Sequence, residues 1–113
     1  MGDRVSEADF LRFVVDVAQR GGWLVHHELP AQRASGRWAT WNVGPAGFPD
    51  LVLLRPASKY RPGQLIVAEL KVGRNKATKA QEKYLQAFRD AGVETYLWKW
   101  PDDREGILRR LAP

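Results

Sequence analysis

The sequence predicts an α/β domain, a mixed sheet with helices packed against it, on three observations. Apolar residues recur at helical spacing in two stretches, from Phe10 to Ala18 and from Gln81 to Ala91. Between them lie two short apolar runs, Leu51-Val52-Leu53-Leu54 and Gln64 to Leu70, bounded by Pro49, Pro56 and Gly63 and too short for helices. The second run, the helical stretch after it and the alternating residues 93–99 then form a strand–helix–strand crossover. Such a unit is normally right-handed and makes its two strands parallel.

Length and composition narrow the field. A chain of 113 residues is expected to form one domain over 1–113, with a single core. A hydrophobic fraction of 44% and five Trp argue against disorder. Lys and Arg number 18 against 13 acidic residues, and the resulting charge of +5 favours a polyanionic partner such as nucleic acid, a balance that many unrelated proteins share. With no Cys, disulfides and thiolate metal sites are excluded. No apolar run approaches a membrane span, and an N-terminus with acids at Asp3 and Glu7 does not read as a signal peptide. The cytoplasm is the expected compartment, with no membrane partner.

Each element has a local cause. Ser6-Glu7-Ala8-Asp9 opens a helix over about residues 6–20. Ser6 is suited to cap it, Asp9 takes the capping-box position, and Gly21-Gly22 stops it. Glu7 leans toward the apolar side, and is either an acid favoured in a first turn or an acid lent to a site by this helix. Trp23 to His27 reads as a strand. Neighbouring strand residues face opposite ways, so His26 and His27 do not both ligate one ion without distortion; a role for His27 at the rim of a site or under the following loop is one reading, not the leading one. Residues 28–48 hold no steady period, and a connection of this length in a compact domain calls for a task. Its Arg33, Arg37, Trp38 and Trp41 interleave cations with aromatics, as suits a loop riding over a phosphate backbone. The alternative is that both Trp fold back over the sheet.

The run Leu51–Leu54 is expected as a strand buried on both faces. The polar turn of residues 55–63, carrying Lys59 and Arg61, makes it antiparallel to 64–70. In that second strand Leu65, Val67, Glu69 and Lys71 share a face. Then comes a basic stretch with Arg74, Lys76, Lys79 and Lys83. Thr78-Lys79-Ala80-Gln81 is a capping-box signature for a helix over 79–91, stopped by Gly92. Gln81 is either the reciprocal cap or a polar group touching phosphate or an attacking water. Residues 93–99 alternate as a strand with both faces partly covered. A last short helix, weakened by Gly106, ends at Leu111.

Charged groups at the ends of apolar strands are poor core residues, and Asp50, Glu69 and Lys71 are three of them. Asp50 precedes its strand and Glu69 lies near the end of the antiparallel neighbour, so the two ends come close. Their carboxylates and the backbone carbonyl of Leu70 supply the hard oxygen ligands that Mg²⁺ or Mn²⁺ takes. Lys71 is a cation beside the same ion, suited to orient an attacking water or to steady charge on phosphorus. The plainer account makes Asp50 a turn residue after Pro49, and Glu69 with Lys71 a strand-edge ion pair. A function without catalysis also fits: a binding module using Arg33, Arg37, Lys59, Arg61, Arg74, Lys76 and Lys79 on phosphate. A third reading is a subunit whose basic face docks to another protein.

Gly47-Phe48-Pro49-Asp50, then Glu69-Leu70-Lys71, then Gln81 on the following helix resemble the PD-(D/E)XK nuclease superfamily, and within it the VRR-NUC group, whose single-domain members include many phage-encoded proteins. The resemblance covers Glu7 to about Trp100. It implies a restriction-endonuclease-like core in the order α-β-β-β-α-β with a short C-terminal helix. It implies Asp50 and Glu69 as metal ligands, Lys71 as the catalytic lysine, Glu7 as the first-helix acid and Gln81 as the helix glutamine of this group. It further implies a metal-dependent endonuclease acting on DNA, with branched DNA and Holliday junctions as expected substrates and a homodimer as the working form, in a bacterial cell or a phage-infected host. The departure is the long loop from Glu28 to Ala46 with its Trp pair.

Overall fold

The computed structural model describes residues 4–27, 31–32, 38–39 and 45–113. The first helix, α1 (Glu7–Arg20), begins with a complete capping box. The Ser6 hydroxyl accepts from the Asp9 N–H at 3.0 Å and Asp9 Oδ2 accepts from the Ser6 N–H at 3.1 Å. These bonds hold the Asp9 carboxyl below the usual carboxylate range. The helix buries Phe10, Val14 and Ala18, spaced four residues apart on one face.

Strand β1 (Leu24–His27) follows the Gly21-Gly22 stop, and two-residue strands β2 (Ala31–Gln32) and β3 (Trp38–Ala39) pair antiparallel as a separate ribbon. Strand β4 (Leu51–Arg55) and strand β5 (Gln64–Val72) are antiparallel. Helix α2 (Lys79–Asp90) crosses to β6 (Glu94–Trp100), which is parallel to β5, and helix α3 (Arg104–Leu111) comes last. The main sheet runs β1-β4-β5-β6, with β1 and β4 antiparallel. This is the mixed sheet and the element order read from the sequence, with β2 and β3 added inside the long connection.

Period two divides the sheet into two faces. Leu51, Leu53, Ile66, Ala68, Leu70 and Trp98 point to one side, where α1 and α3 bring Phe10, Val14, Ala18, Ile107 and Leu111 to form the core. Full burial of a side chain such as Phe10 contributes roughly 2–3 kcal/mol. On the opposite side α2 covers only the β5 and β6 part, with Leu85 buried. The expectation that β4 is buried on both faces therefore fails at its far end. Leu54 is 48% exposed, and its direct cross-strand partners Leu24 and Leu65 are exposed with it. No described helix reaches over that corner.

The end of the sheet near the β4–β5 turn is tied to α3. The indole Nε1 of Trp23 donates to the Leu111 carbonyl at 3.2 Å, and the buried Arg55 donates to the Ala112 carbonyl at 2.8 Å while stacking over the Trp23 ring. Arg110 makes a two-pronged bond to Glu94, at 2.6 and 2.8 Å, which holds the Glu94 carboxyl below its ordinary range. Gly21 is required where α1 meets α3, because a Cβ there would stand 1.8 Å from the Leu111 carbonyl oxygen. Among the described residues no helix is long and apolar enough to cross a membrane.

Candidate active site

The opposite end of the sheet is open, and its shape follows from unequal strand lengths. β4 starts at Leu51, opposite Ala68, whereas β5 continues to Val72. Asp50 therefore stands where the β4 ladder stops, and the register extended by one pair sets it across from Glu69. Its Oδ2 accepts the Leu70 N–H at 2.8 Å, replacing the strand partner that β4 no longer supplies. In a strand the N–H and C=O of one residue leave on the same side, so the Leu70 carbonyl also points toward the space ahead of β4.

Glu69 is only 1% exposed, and its Oε1 is buried with no hydrogen-bond partner among the described residues. The Lys71 ammonium lies 3.4 Å from the other oxygen, on the same face two residues on. Burial, and then the neighbouring Asp50 carboxylate, push the Glu69 carboxyl up to about 7, against the opposing pull of Lys71. Burying a carboxylate beside a second carboxylate costs stability, and an unfilled acceptor adds to that cost. Such an arrangement is expected where a site is kept for a ligand. The donors are carboxylate and carbonyl oxygens, the kind that hard divalent cations take. No cluster of three or more His, Cys, Asp or Glu side chains forms among the described residues. A cation bound here would therefore complete its shell with water and phosphate, as Mg²⁺ does.

The other residues singled out in the sequence divide by position. Glu7 lines a cavity of about 130 Å³ with Ala8, Leu11, Asp50 and Leu70, and its Oε2 accepts a long bond, 3.4 Å, from the Asn75 amide. Gln81 forms the reciprocal cap: its Oε1 accepts from the Thr78 N–H at 2.9 Å and its own N–H donates to the Thr78 hydroxyl at 3.1 Å. Arg74, Lys76 and Lys79 are exposed on the connection from β5 into α2, at the same end as Lys71. Lys59 and Arg61 belong to the β4–β5 turn, at the other end of the hairpin, so the structure does not bring them to this site. His26 is exposed and His27 half-buried, on opposite faces as the alternation requires. Arg33, Arg37 and Trp41 lie outside the described residues, and of Trp38 only the backbone, in β3, is described.

One feature of the site was not legible as such. The segment that delivers Asp50 is docked along α2. The Tyr84 hydroxyl donates to the Pro45 carbonyl at 3.1 Å, and Phe48 packs edge-on against Tyr84 and Phe88, with centroids 5.5 and 5.8 Å away. Gly47 adopts φ +108°, and a Cβ there would lie 2.6 Å from the Ala80 carbonyl carbon and 2.9 Å from its Cβ. The aromatic residues were readable as a helix face; that the motif glycine and phenylalanine pack on that helix needed the fold. Asn75 carried no signal beyond its place in a basic stretch.

Comparison with known proteins identifies a family. The family model described as the VRR-NUC domain matches residues 24–99, from the first residue of β1 to the penultimate residue of β6. No curated protein and no solved structure matches the chain. The matched span covers well over half of the sequence and contains Asp50, Glu69, Lys71 and Gln81, so the chain belongs to the VRR-NUC family and is a nuclease domain of the PD-(D/E)XK type.

Proposed function

We propose that this single domain is a metal-dependent DNA endonuclease that prefers branched structures, with Asp50, Glu69 and Lys71 at its catalytic centre. The observation that carries the reading is Glu69. A buried carboxylate with an orphan oxygen, beside Asp50 at the point where a strand ladder ends, has a plain use as a cation ligand and little use as structure. Asp50, Glu69 and the Leu70 carbonyl would hold Mg²⁺ or Mn²⁺. When bound, the ion lowers the pKa of a coordinated water and neutralises charge on the phosphodiester. The chain's own residues do the rest. Leu70 N–H fixes Asp50 in place, and Lys71, 3.4 Å from Glu69, presents its ammonium where the attacking water and the phosphate oxygens must meet. Glu7 closes one wall from α1. Gln81, held by its cap, places a side-chain amide at the start of α2, beside the exposed Lys79.

Shape rather than base sequence is the expected basis of selection, because the basic residues at this end serve phosphate and a small domain offers little surface for base edges. Four-way junctions are the furthest extension of this reading. A homodimer acting in the cytoplasm would match their two-fold symmetry. The test is a cleavage panel presenting one sequence as single strand, duplex, splayed arm, flap and junction, with Mg²⁺, Mn²⁺ or chelator, beside a mass measurement in solution. Nicking is expected with either metal and none in chelator. Asp50→Ala and Glu69→Ala are expected to lose it by at least about 100-fold while circular dichroism stays native. Full cleavage by both variants, with a contaminant excluded, would remove the assignment. Equal rates on linear and branched forms would remove the structural preference alone.

A further inference from the structure

A second concavity lies between the docked segment and α2. It measures about 360 Å³ and is lined by Pro45, Ala46, Ala80, Lys83, Tyr84 and Ala87. Ala80, Lys83, Tyr84 and Ala87 fall at the spacing of one helical stripe on α2, and the two alanines leave room where other residues would fill it. The lining is mostly apolar, and Lys83 is the one charged residue among the described residues that form it. The same chain that forms one wall runs from Ala46 through Gly47 and Phe48, both packed on α2, directly to Asp50.

We propose that this concavity is a subsite for one unpaired nucleobase of the DNA substrate, with Lys83 on the phosphate beside it. The inference rests on the nuclease reading and names what that site selects. Apolar walls and an aromatic side chain suit the face of a base and are indifferent to which base it is. A pocket of this size accepts a planar heterocycle, whereas a base held inside a duplex is stacked and paired and does not enter. Lys83, followed along the helix start by Lys79 and Lys76, gives the charge complementarity that a phosphodiester needs and a neutral apolar ligand does not. Because the pocket wall and Asp50 share one segment docked on α2, a base seated here sets the neighbouring backbone against the carboxylates. Flaps and splayed arms, which carry unpaired bases at the branch, gain over continuous duplex and over a fully paired junction.

Binding is measured in chelator, with the full chain, on two oligonucleotide probes of matched length. One is a perfect duplex, and the other carries a single unpaired 5-iodouracil at a branch. The wild-type chain is expected to bind the second about 10-fold more tightly and, on irradiation, to crosslink through the peptide containing Tyr84. Ala87→Gln fills the pocket with no change of charge and only a small loss of helix preference, and should abolish both the preference and the crosslink while duplex affinity stays within about twofold. Ala87→Gly, which leaves the pocket open, should keep the preference. An Ala87→Gln chain that still prefers the unpaired base, a crosslink mapping elsewhere, or equal loss in Ala87→Gly would overturn the proposal. Cleavage of the branched probe with metal is scored separately. Its absence in the wild-type chain counts against the nuclease reading, while the binding comparison still decides the pocket.

Discussion

Glu69 concentrates the conflict between stability and use in a single side chain. Its carboxyl is raised from an ordinary 4.5 to about 7, chiefly by burial and then by Asp50. The folded chain therefore holds this proton more tightly than the unfolded chain does. Between about pH 4.5 and 7 the native state carries the extra proton, and stability falls as the pH rises through that window. Below it the buried carboxyl is neutral and no penalty applies; above it the penalty is complete. Lys71 at 3.4 Å offsets part of the cost. Glu69→Gln keeps the shape and removes the charge, but also leaves Lys71 without its partner. The net gain at pH 8 is therefore set at about 1–2 kcal/mol, or a rise in melting temperature of roughly 4–8 °C. At pH 4.5 the variant and the wild-type chain should melt together, and cleavage should be lost at every pH. Thermal denaturation of both chains at the two pH values checks this. A variant less stable than the parent at pH 8 would mean that the pair with Lys71 outweighs burial. The exchange of stability for a chargeable site is the usual one at functional centres.

At the scale of elements, the segment from Pro45 to Asp50 behaves as part of α2. Gly47 is where the two meet, with a backbone angle that side chains other than glycine rarely adopt and no room for a Cβ against the Ala80 backbone. Gly47→Ala is expected to destabilise the fold by about 2–4 kcal/mol and to cut the cleavage rate by at least about 10-fold, by lifting Asp50 from its bond to Leu70. Melting temperature and single-turnover rate are the measurements, and wild-type values for both would show that the segment is free of α2. The elements themselves were legible because their causes are local. Ser6 with Asp9 and Thr78 with Gln81 both form the caps that their spacing announces. Asp50 and Glu69 were legible as a pair because a short turn fixes two antiparallel strands, and with them which ends meet. Burial was less legible. Leu54 reads as core from its neighbours, yet how much of a sheet face α2 covers is decided by the crossover and not by the strand. The packing of Phe48 on Tyr84 and Phe88 joins residues distant in sequence, and no periodicity reports that.

Viewed as a whole, the molecule has an open end, which holds the candidate active site, and a sealed end. Asp50, Glu69, Lys71 and the β5–α2 connection gather at one. At the other, Arg55, Trp23 and the last residues of α3 lock together below the β4–β5 turn. Sequence reasoning pooled the basic residues of both ends into one phosphate-contacting set, because charge counts carry no direction. The topology separates them: Lys76 and Lys79 stand beside the site, and Lys59 and Arg61 a strand length away. The salt dependence of DNA binding distinguishes one set from two. Each phosphate contact on duplex DNA contributes about 0.9 to the slope of log affinity against log salt. Replacing Lys76 and Lys79 together by Ala should lower that slope by up to about 1.8, measured in chelator so that cleavage plays no part. Replacing Lys59 and Arg61 together by Ala removes the same formal charge and so matches the long-range attraction. It should leave the slope within error of the wild-type value, because the β4–β5 turn does not reach a backbone laid across Asp50 and Glu69. Equal losses from the two double variants would mean that the duplex wraps both ends, and the working surface would have to be redrawn along the length of the β4–β5 hairpin.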